Sequence, residues 1–461
     1  MKLQLNRSQW LALFLIPVLS ASLVFSPVSA MLSEQQLYSA LLIIGGMVLF
    51  ATGALPEFVS ALVVLVLAML LAVAPAEIVF SGLTSTACWL IISGLVMGIA
   101  IKETGLAKRI ADRFNGFFNT SYAKLISGIV LMGVALGFVM PSSVGRVVLF
   151  VPIAMAVAHS CGFEKGSNGY IGVFLAAAFG CHLPTFAILT ANIPNMIMMG
   201  TAETIHGWTP LFGEYLMLHF PVLGALKAVL LILVILKLYP DTPKRSTEVI
   251  DNGRLSRTEI RLMIIMLGTL AFWVTDSIHH ISSAWIGLSA ATILLLPGIG
   301  MVSPKSFNEN INISSILVLA GLLGIASLIN YSGLSLLAGD EVLGWLPLSQ
   351  GQDLVNFFSL SLTAMFTGVV ATLAGVSATL TPLAGQIVEM TGMSLEAVLM
   401  TQVFGFSTVV FTYQSVPLMM AIPLAGVQIQ HVARLCLVLA VLTVLILLPL
   451  HYLWWELLGW L

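Results

Sequence analysis

Four short segments carry most of the residues in this chain that could do chemistry. They are Pro141-Ser142-Ser143-Val144-Gly145-Arg146, Leu189-Thr190-Ala191-Asn192-Ile193-Pro194-Asn195, Gly375-Val376-Ser377-Ala378-Thr379-Leu380-Thr381-Pro382 and Phe411-Thr412-Tyr413-Gln414-Ser415-Val416-Pro417. Each sets hydroxyls, amides and helix breakers inside a long apolar stretch. Polar, broken backbone at such a place is costly unless it lines a protected cavity. Freed carbonyls there suit a dehydrated cation such as sodium. The N–H groups and positive dipole end of a restarting helix suit an anion. No base accompanies the hydroxyls, so covalent chemistry is not expected and the chain does not read as an enzyme.

Arg146 stands apart as the only positive charge between Lys124 and Lys165. A guanidinium at membrane depth costs several kcal/mol unless paired or hydrated. With no acidic residue near it in sequence, a bound anion gripped by its planar fork is the expected partner. A snorkelling role at lipid phosphate is the competing reading. The stretches 124–160, 169–199 and 354–388 contain no Asp or Glu, which disfavours carboxylate-based proton coupling. His159 and His182 read as packing or loop residues. Among the hydroxyls and amides, Ser143, Thr379 and Ser415 are assigned with Arg146 to the solute. Ser142, Gly145, Thr190, Asn192, Ser377 and Thr412 are assigned to sodium. Local helix capping competes for every one of them.

The elements that must hold these segments are transmembrane helices. The chain is 59% hydrophobic and 8% charged, against roughly 25% charged in soluble domains, so it is a polytopic membrane protein. It has no phosphate-binding loop to power transport with ATP, and no nucleic-acid partner is expected. Cys88, Cys161, Cys181 and Cys436 show no metal-binding spacing and read as buried free thiols. Residues 1–36 form either a first helix, the favoured reading, or a signal-like segment ending at Val28-Ser29-Ala30.

Spans of about 20 apolar residues fall near 10–30, 37–55, 58–74, 86–101, 169–199, 216–238, 260–276, 284–301, 313–334, 394–424 and 433–455. Spans 169–199 and 394–424 are broken helices. Stretches 124–160 and 354–391 read as re-entrant hairpins with polar tips. The expected fold is thus all-α, with about eleven crossings, two hairpins and an inverted repeat. Lys102, Lys108, Arg109, Arg113 and Lys124 fall on one side with Lys2, Arg7, Lys165, Lys237, Lys244, Arg245, Arg254, Arg257, Arg261, Lys305 and Arg434. The opposite connections hold Glu34, Glu77, Glu203, Glu214, Asp340, Glu341, Asp353 and Glu396 and no Lys or Arg. The positive-inside rule then places the N-terminus in the cytoplasm and the C-terminus outside a bacterial-type inner membrane. The halves also match in order: Phe50–Glu57 with Phe272–His279, Glu103-Thr-Gly-Leu with Tyr331-Ser-Gly-Leu, Phe179-Gly180 with Phe404-Gly405, Pro194 with Pro417.

On these residues the chain resembles the divalent-anion:sodium symporter family of di- and tricarboxylate and sulfate carriers. Pro141-Ser-Ser-Val-Gly-Arg146 with Val151-Pro152-Ile153 stands where that family shows Ser-Asn-Thr-Ala-Arg and a later Pro-Ile. Pro194-Asn195 matches the end of its Gly-Thr-Pro-Pro-Asn loop, which adds Asn195 to the solute set. Ser143 and Val144 replace the Asn and Thr of the first motif, and Ser377-Ala378-Thr379 answers the second only loosely. The resemblance implies a homodimer in which a transport domain, residues 121–238 with 354–461, moves against a scaffold of 37–120 and 260–353, with 239–259 a cytoplasmic linker. It implies sodium-coupled symport of a small anion. A cation/proton antiporter, a metalloid exporter, or a non-transporting receptor of this fold are the alternatives.

Overall fold

The computed structural model describes residues 5–106, 109, 121–243 and 255–461, without the side chains of 338–342. Lys2, Lys108, Arg113, Lys244, Arg245 and Arg254, and the side chains of Asp340 and Glu341, which entered the charge argument, lie outside the described residues. Ten described helices are long and apolar enough to cross a membrane, and no strand occurs among the described residues. The protein is a multi-pass, all-α membrane protein.

The first part of the chain runs through α1 (Arg7–Val24), α2 (Glu34–Thr52), α3 (Glu57–Leu70) and α4 (Thr86–Thr104). The first hairpin is α5 (Tyr122–Val139) and α6 (Ser143–Ser160), parted at Met140–Ser142 as expected. Its two ends return to one place, for Tyr122 and Phe163 meet edge to face at 5.8 Å. The first broken helix is α7 (Asn168–Gly180), two 3-10 turns, and α8 (Ile193–His206). Then come α9 (Phe212–Leu238), α10 (Arg257–Val274), α11 (Ser283–Leu295), α12 (Ile313–Tyr331) and α13 (Leu334–Leu343). The second hairpin is α14 (Asp353–Leu380) with α15 (Ala384–Thr391), and its base closes where Gln350 Nε2 donates to Glu389 O. The second broken helix is α16 (Leu395–Phe406) and α17 (Val416–Ala425), followed by α18 (Ile429–Leu458).

Serine side chains start many of these helices by accepting the N–H three residues on: Ser121, Ser142, Ser167, Ser394 and Ser415 each do so. Pro194 and Pro417 sit in the first turns of α8 and α17, where a missing N–H costs nothing. The two halves echo each other in packing too. A Cβ on Gly180 would lie 2.9 Å from Val130 Cα, and one on Gly405 would lie 2.4 Å from the Ala364 carbonyl carbon. Thus α7 crosses α5, and α16 crosses α14, backbone against backbone, at the matched glycines. Every residue of α7 after Asn168 is buried, as a helix apolar on all sides should be.

One expectation is corrected. The second hairpin does not turn in the Gly375–Pro382 cluster. It turns at Thr372, with φ 63° and ψ 168°, inside what is otherwise continuous helix. Ser377 and Thr379 therefore sit on helical backbone, and Thr379 Oγ1 donates to Gly375 O at 2.9 Å. Pro382 only opens the 3-10 turn Thr381–Leu383, a position that asks for no N–H.

Candidate functional site

A cavity of about 490 Å³ lies between the two hairpin tips and the breaks in the two broken helices. Its walls are helix beginnings. Ser142, Ser143 and Val144 open α6; Ile193 and Pro194 open α8; Leu373 and Ala374 restart α14 after Thr372; Ser415, Val416 and Pro417 open α17. Pro56, Glu57 and Phe58 open α3, and Asn312, Ser314 and Ser315 open α12. Six helix N-termini thus face one space. Each brings unsatisfied N–H groups and the positive end of a helix dipole, so the cavity is built for negative charge.

Local sequence fixes two of these starts directly. Ser142 and Ser415 bond forward to Gly145 N and Leu418 N, fixing where α6 and α17 begin. His182, in the loop after α7, shares a 2.8 Å hydrogen bond between its Nε2 and Ser415 Oγ. That contact ties the break of the first broken helix to the start of the second.

Arg146 is not in the lining. It is fully buried behind it, and every partner it has is a neutral oxygen. Its Nε donates to Cys181 O at 3.0 Å, and one terminal nitrogen donates to Ala191 O at 3.0 Å and to Met140 O. The other donates to Thr185 Oγ1 at 2.9 Å and Asn192 Oδ1 at 3.3 Å. Met140 is the carbonyl freed at the hairpin tip, and residues 181–192 are the unwound loop, so the guanidinium clamps tip to loop. Asn192 Oδ1 also accepts from Ser143 Oγ, which carries the clamp to the cavity wall. The expected pairing of Arg146 with a solute is therefore replaced by a structural pairing. Its unneutralised charge still sits just behind an anion-friendly wall. Lys227 does the like for the other loop: fully buried, it donates to Ser407 O at 2.8 Å. Cys181 and Ser407 are the residues that end α7 and α16, so both helix C-termini hold a buried cation.

The remaining sequence assignments divide. Ser142, Ser143 and Ser415 line the cavity, and Asn192 lies directly behind it. Asn195 turns away, its amide donating to Phe186 O and Ile188 O at 3.0 and 2.8 Å. Thr379 bonds its own helix, and Gly145 serves as the donor that Ser142 caps. Thr190, Ser377 and Thr412 are buried, and among the described residues their hydroxyl oxygens have no partner within hydrogen-bond distance. The sequence reading missed Glu57, Thr372, Gln414, Asn312, Ser314 and Ser315, and took His182 for packing. A Pro-Glu pair opening an apolar run was the available signal for Glu57.

The fit to sodium is likewise split. Of the first sodium set, Ser142 Oγ accepts from Gly145 N and Asn192 Oδ1 accepts from Ser143 and Arg146, which leaves only the Thr190 hydroxyl oxygen open, so these residues do not form a sodium cage. The hydroxyl oxygens of Ser377 and Thr412 are buried and open, the kind of oxygen that a hard cation takes as a ligand. Among the described residues, no cluster of three or more His, Cys, Asp or Glu could hold a metal ion.

A family model described as the sodium:sulfate symporter transmembrane region matches residues 7–461. A membrane protein of Cupriavidus necator is 29% identical over 237 residues, covering 50% of this chain and 46% of that one. An L-tartrate/succinate antiporter of Escherichia coli K12 is 25% identical over 289 residues, covering 56% of each chain. The chain thus spans about half the length of these curated relatives. The YdaH transporter of Alcanivorax borkumensis shares the fold, with a TM-score of 0.53 over 83% of this chain and 86% of that one, at 14% identity.

Proposed function

We propose, for a chain that belongs to the sodium:sulfate symporter family, secondary transport of a small anion, a dicarboxylate or sulfate, held in the cavity between the hairpin tips. The convergence of six helix N-termini on one space carries this reading. The family is one of membrane transporters. The L-tartrate/succinate antiporters among its relatives favour dicarboxylates. With the positive-inside orientation in an inner membrane, α3 and α12 begin at the cytoplasmic face, and the cavity opens to the cytoplasm. Residues 121–238 and 354–461 then move together against the scaffold to present the anion outside. A homodimer is the proposed assembly.

Coupling by exchange of one anion for another is the reading that Arg146 favours. A guanidinium fixed among five oxygens supplies, permanently, the positive charge that a first sodium would bring. Sodium coupling is the second reading, favoured by the unpartnered oxygens of Ser377 and Thr412. Proteoliposomes separate the two. Exchange predicts that labelled succinate enters vesicles preloaded with unlabelled succinate and not empty ones, with or without sodium. Sodium coupling predicts uptake into empty vesicles under an inward sodium gradient, with the half-maximal sodium concentration raised in Ser377→Ala with Thr412→Val. Failure of both uptake modes overturns the transport reading.

A further inference from the structure

Glu57 is the one acidic side chain among the residues that line the cavity. It is the first residue of α3, and Pro56 before it fixes the start of that helix. Among the described residues its carboxylate has no hydrogen-bond or ion-pair partner. Across the space stand the starts of α6, α8, α17 and the restarted α14, with Arg146 behind them. On the near side Glu57 is accompanied by the start of α12 with Asn312, Ser314 and Ser315, and by no other charged side chain among the lining residues. The cavity therefore has a positive wall on the proposed moving part and a carboxylate on the scaffold wall.

An anion lodged there meets opposite demands at its two ends. The end at the helix starts must be negative. The end at Glu57 must offer a hydrogen-bond donor, or it faces a like charge. Sulfate has no donor and is charged on every side. A plain dicarboxylate presents a bare carboxylate or methylene to Glu57. A hydroxylated dicarboxylate can turn a hydroxyl to the carboxylate and gain a charge-assisted hydrogen bond. We infer that Glu57 sets the solute class, admitting dicarboxylates that carry a hydroxyl and disfavouring sulfate. The inference rests on the cavity being the anion site.

Sites built to bond a solute hydroxyl reject analogues that lack it, because a buried polar group is then left unpaired. The test is calorimetric binding to the purified full-length protein at pH 8, where the carboxylic acids are ionised, with L-tartrate, succinate and sodium sulfate as probes. Wild type should bind L-tartrate at least about tenfold more tightly than succinate or sulfate, the factor that one charge-assisted hydrogen bond readily supplies. In Glu57→Gln the amide brings its own donors, so sulfate should gain and the L-tartrate preference should shrink by about that tenfold factor. Glu57→Asp, which keeps a carboxylate, should keep the wild-type order, and Glu57→Ala should lose it as Glu57→Gln does. Equal preferences in wild type, Glu57→Gln and Glu57→Ala overturn the role of Glu57 while leaving the anion site standing. Absence of binding by all three probes in folded wild type overturns the anion site itself, and this inference with it.

Discussion

Arg146→Gln will unfold more easily than wild type by about 2–6 kcal/mol, the cost of leaving two buried backbone carbonyls without a donor. All five acceptors lose a donor at once, and the backbone carbonyls of Met140 and Ala191 are left with none, while Cys181 O keeps Thr185 Oγ1, Thr185 Oγ1 keeps the Asn192 amide and Asn192 Oδ1 keeps Ser143 Oγ. An unsatisfied buried polar group costs about 1–3 kcal/mol on its own, and native proteins have only about 5–15 kcal/mol to lose. Arg146→Lys will recover only part of this stability, because a point charge on a flexible stem cannot serve five oxygens arranged for a planar fork. Thermal unfolding of the purified variants in the absence of any anion is the measurement. Were Arg146 instead the solute's direct partner, as its sequence context first suggests, both variants would melt like wild type and lose only affinity. A normal melting curve for Arg146→Gln would therefore reject the clamp.

A second large effect concerns motion. Glu203, near the end of α8, reaches from the proposed moving part to the start of scaffold helix α4. There its carboxylate accepts from Thr86 N at 2.9 Å and from Thr86 Oγ1 at 2.7 Å. This acid at a helix start is a favourable contact, and it must break if the two parts slide past one another. Linking Thr86→Cys to Glu203→Cys with a short bifunctional thiol reagent should abolish transport in proteoliposomes. A reducible linker should give the activity back on reduction. The four native cysteines are all buried and will not compete for the reagent. Undiminished transport by the linked protein would mean that α8 does not leave α4 during the cycle.

How far the site could be read in advance depends on what positions each residue. The breaks at residues 140–142, 181–192 and 407–415 were legible because Pro141, Pro194 and Pro417 stand beside serine and asparagine within apolar runs. The rule there is local: proline and capping side chains decide where a helix can start. The turn at Thr372 was not legible. It uses a threonine at positive φ, a conformation that L-residues adopt only when surrounding structure imposes it. The Ser377–Pro382 cluster nearby is the stronger local signal and drew the reading away. The partners of Arg146 were hidden for a related reason. Its sequence neighbours contain no acid, but its acceptors are carbonyls freed by a loop some forty residues on, and no composition rule reports a bare carbonyl. Glu57 was missed because it belongs to a scaffold helix far from the broken segments, and only the fold brings it to their cavity.

The central claim is that an anion binds in the space between the helix starts. The most direct measurement is a thermal-shift titration of wild type and Ala374→Trp with L-tartrate. Ala374 lines the cavity at the restarted half of α14 and is only partly buried, so an indole there fills the space without disturbing the packed helices behind it. Saturating L-tartrate should stabilise wild type, by about 2.7 kcal/mol at one hundred times the dissociation constant. It should leave the melting of folded Ala374→Trp unmoved. An equal shift in both proteins would place the anion elsewhere and contradict the account.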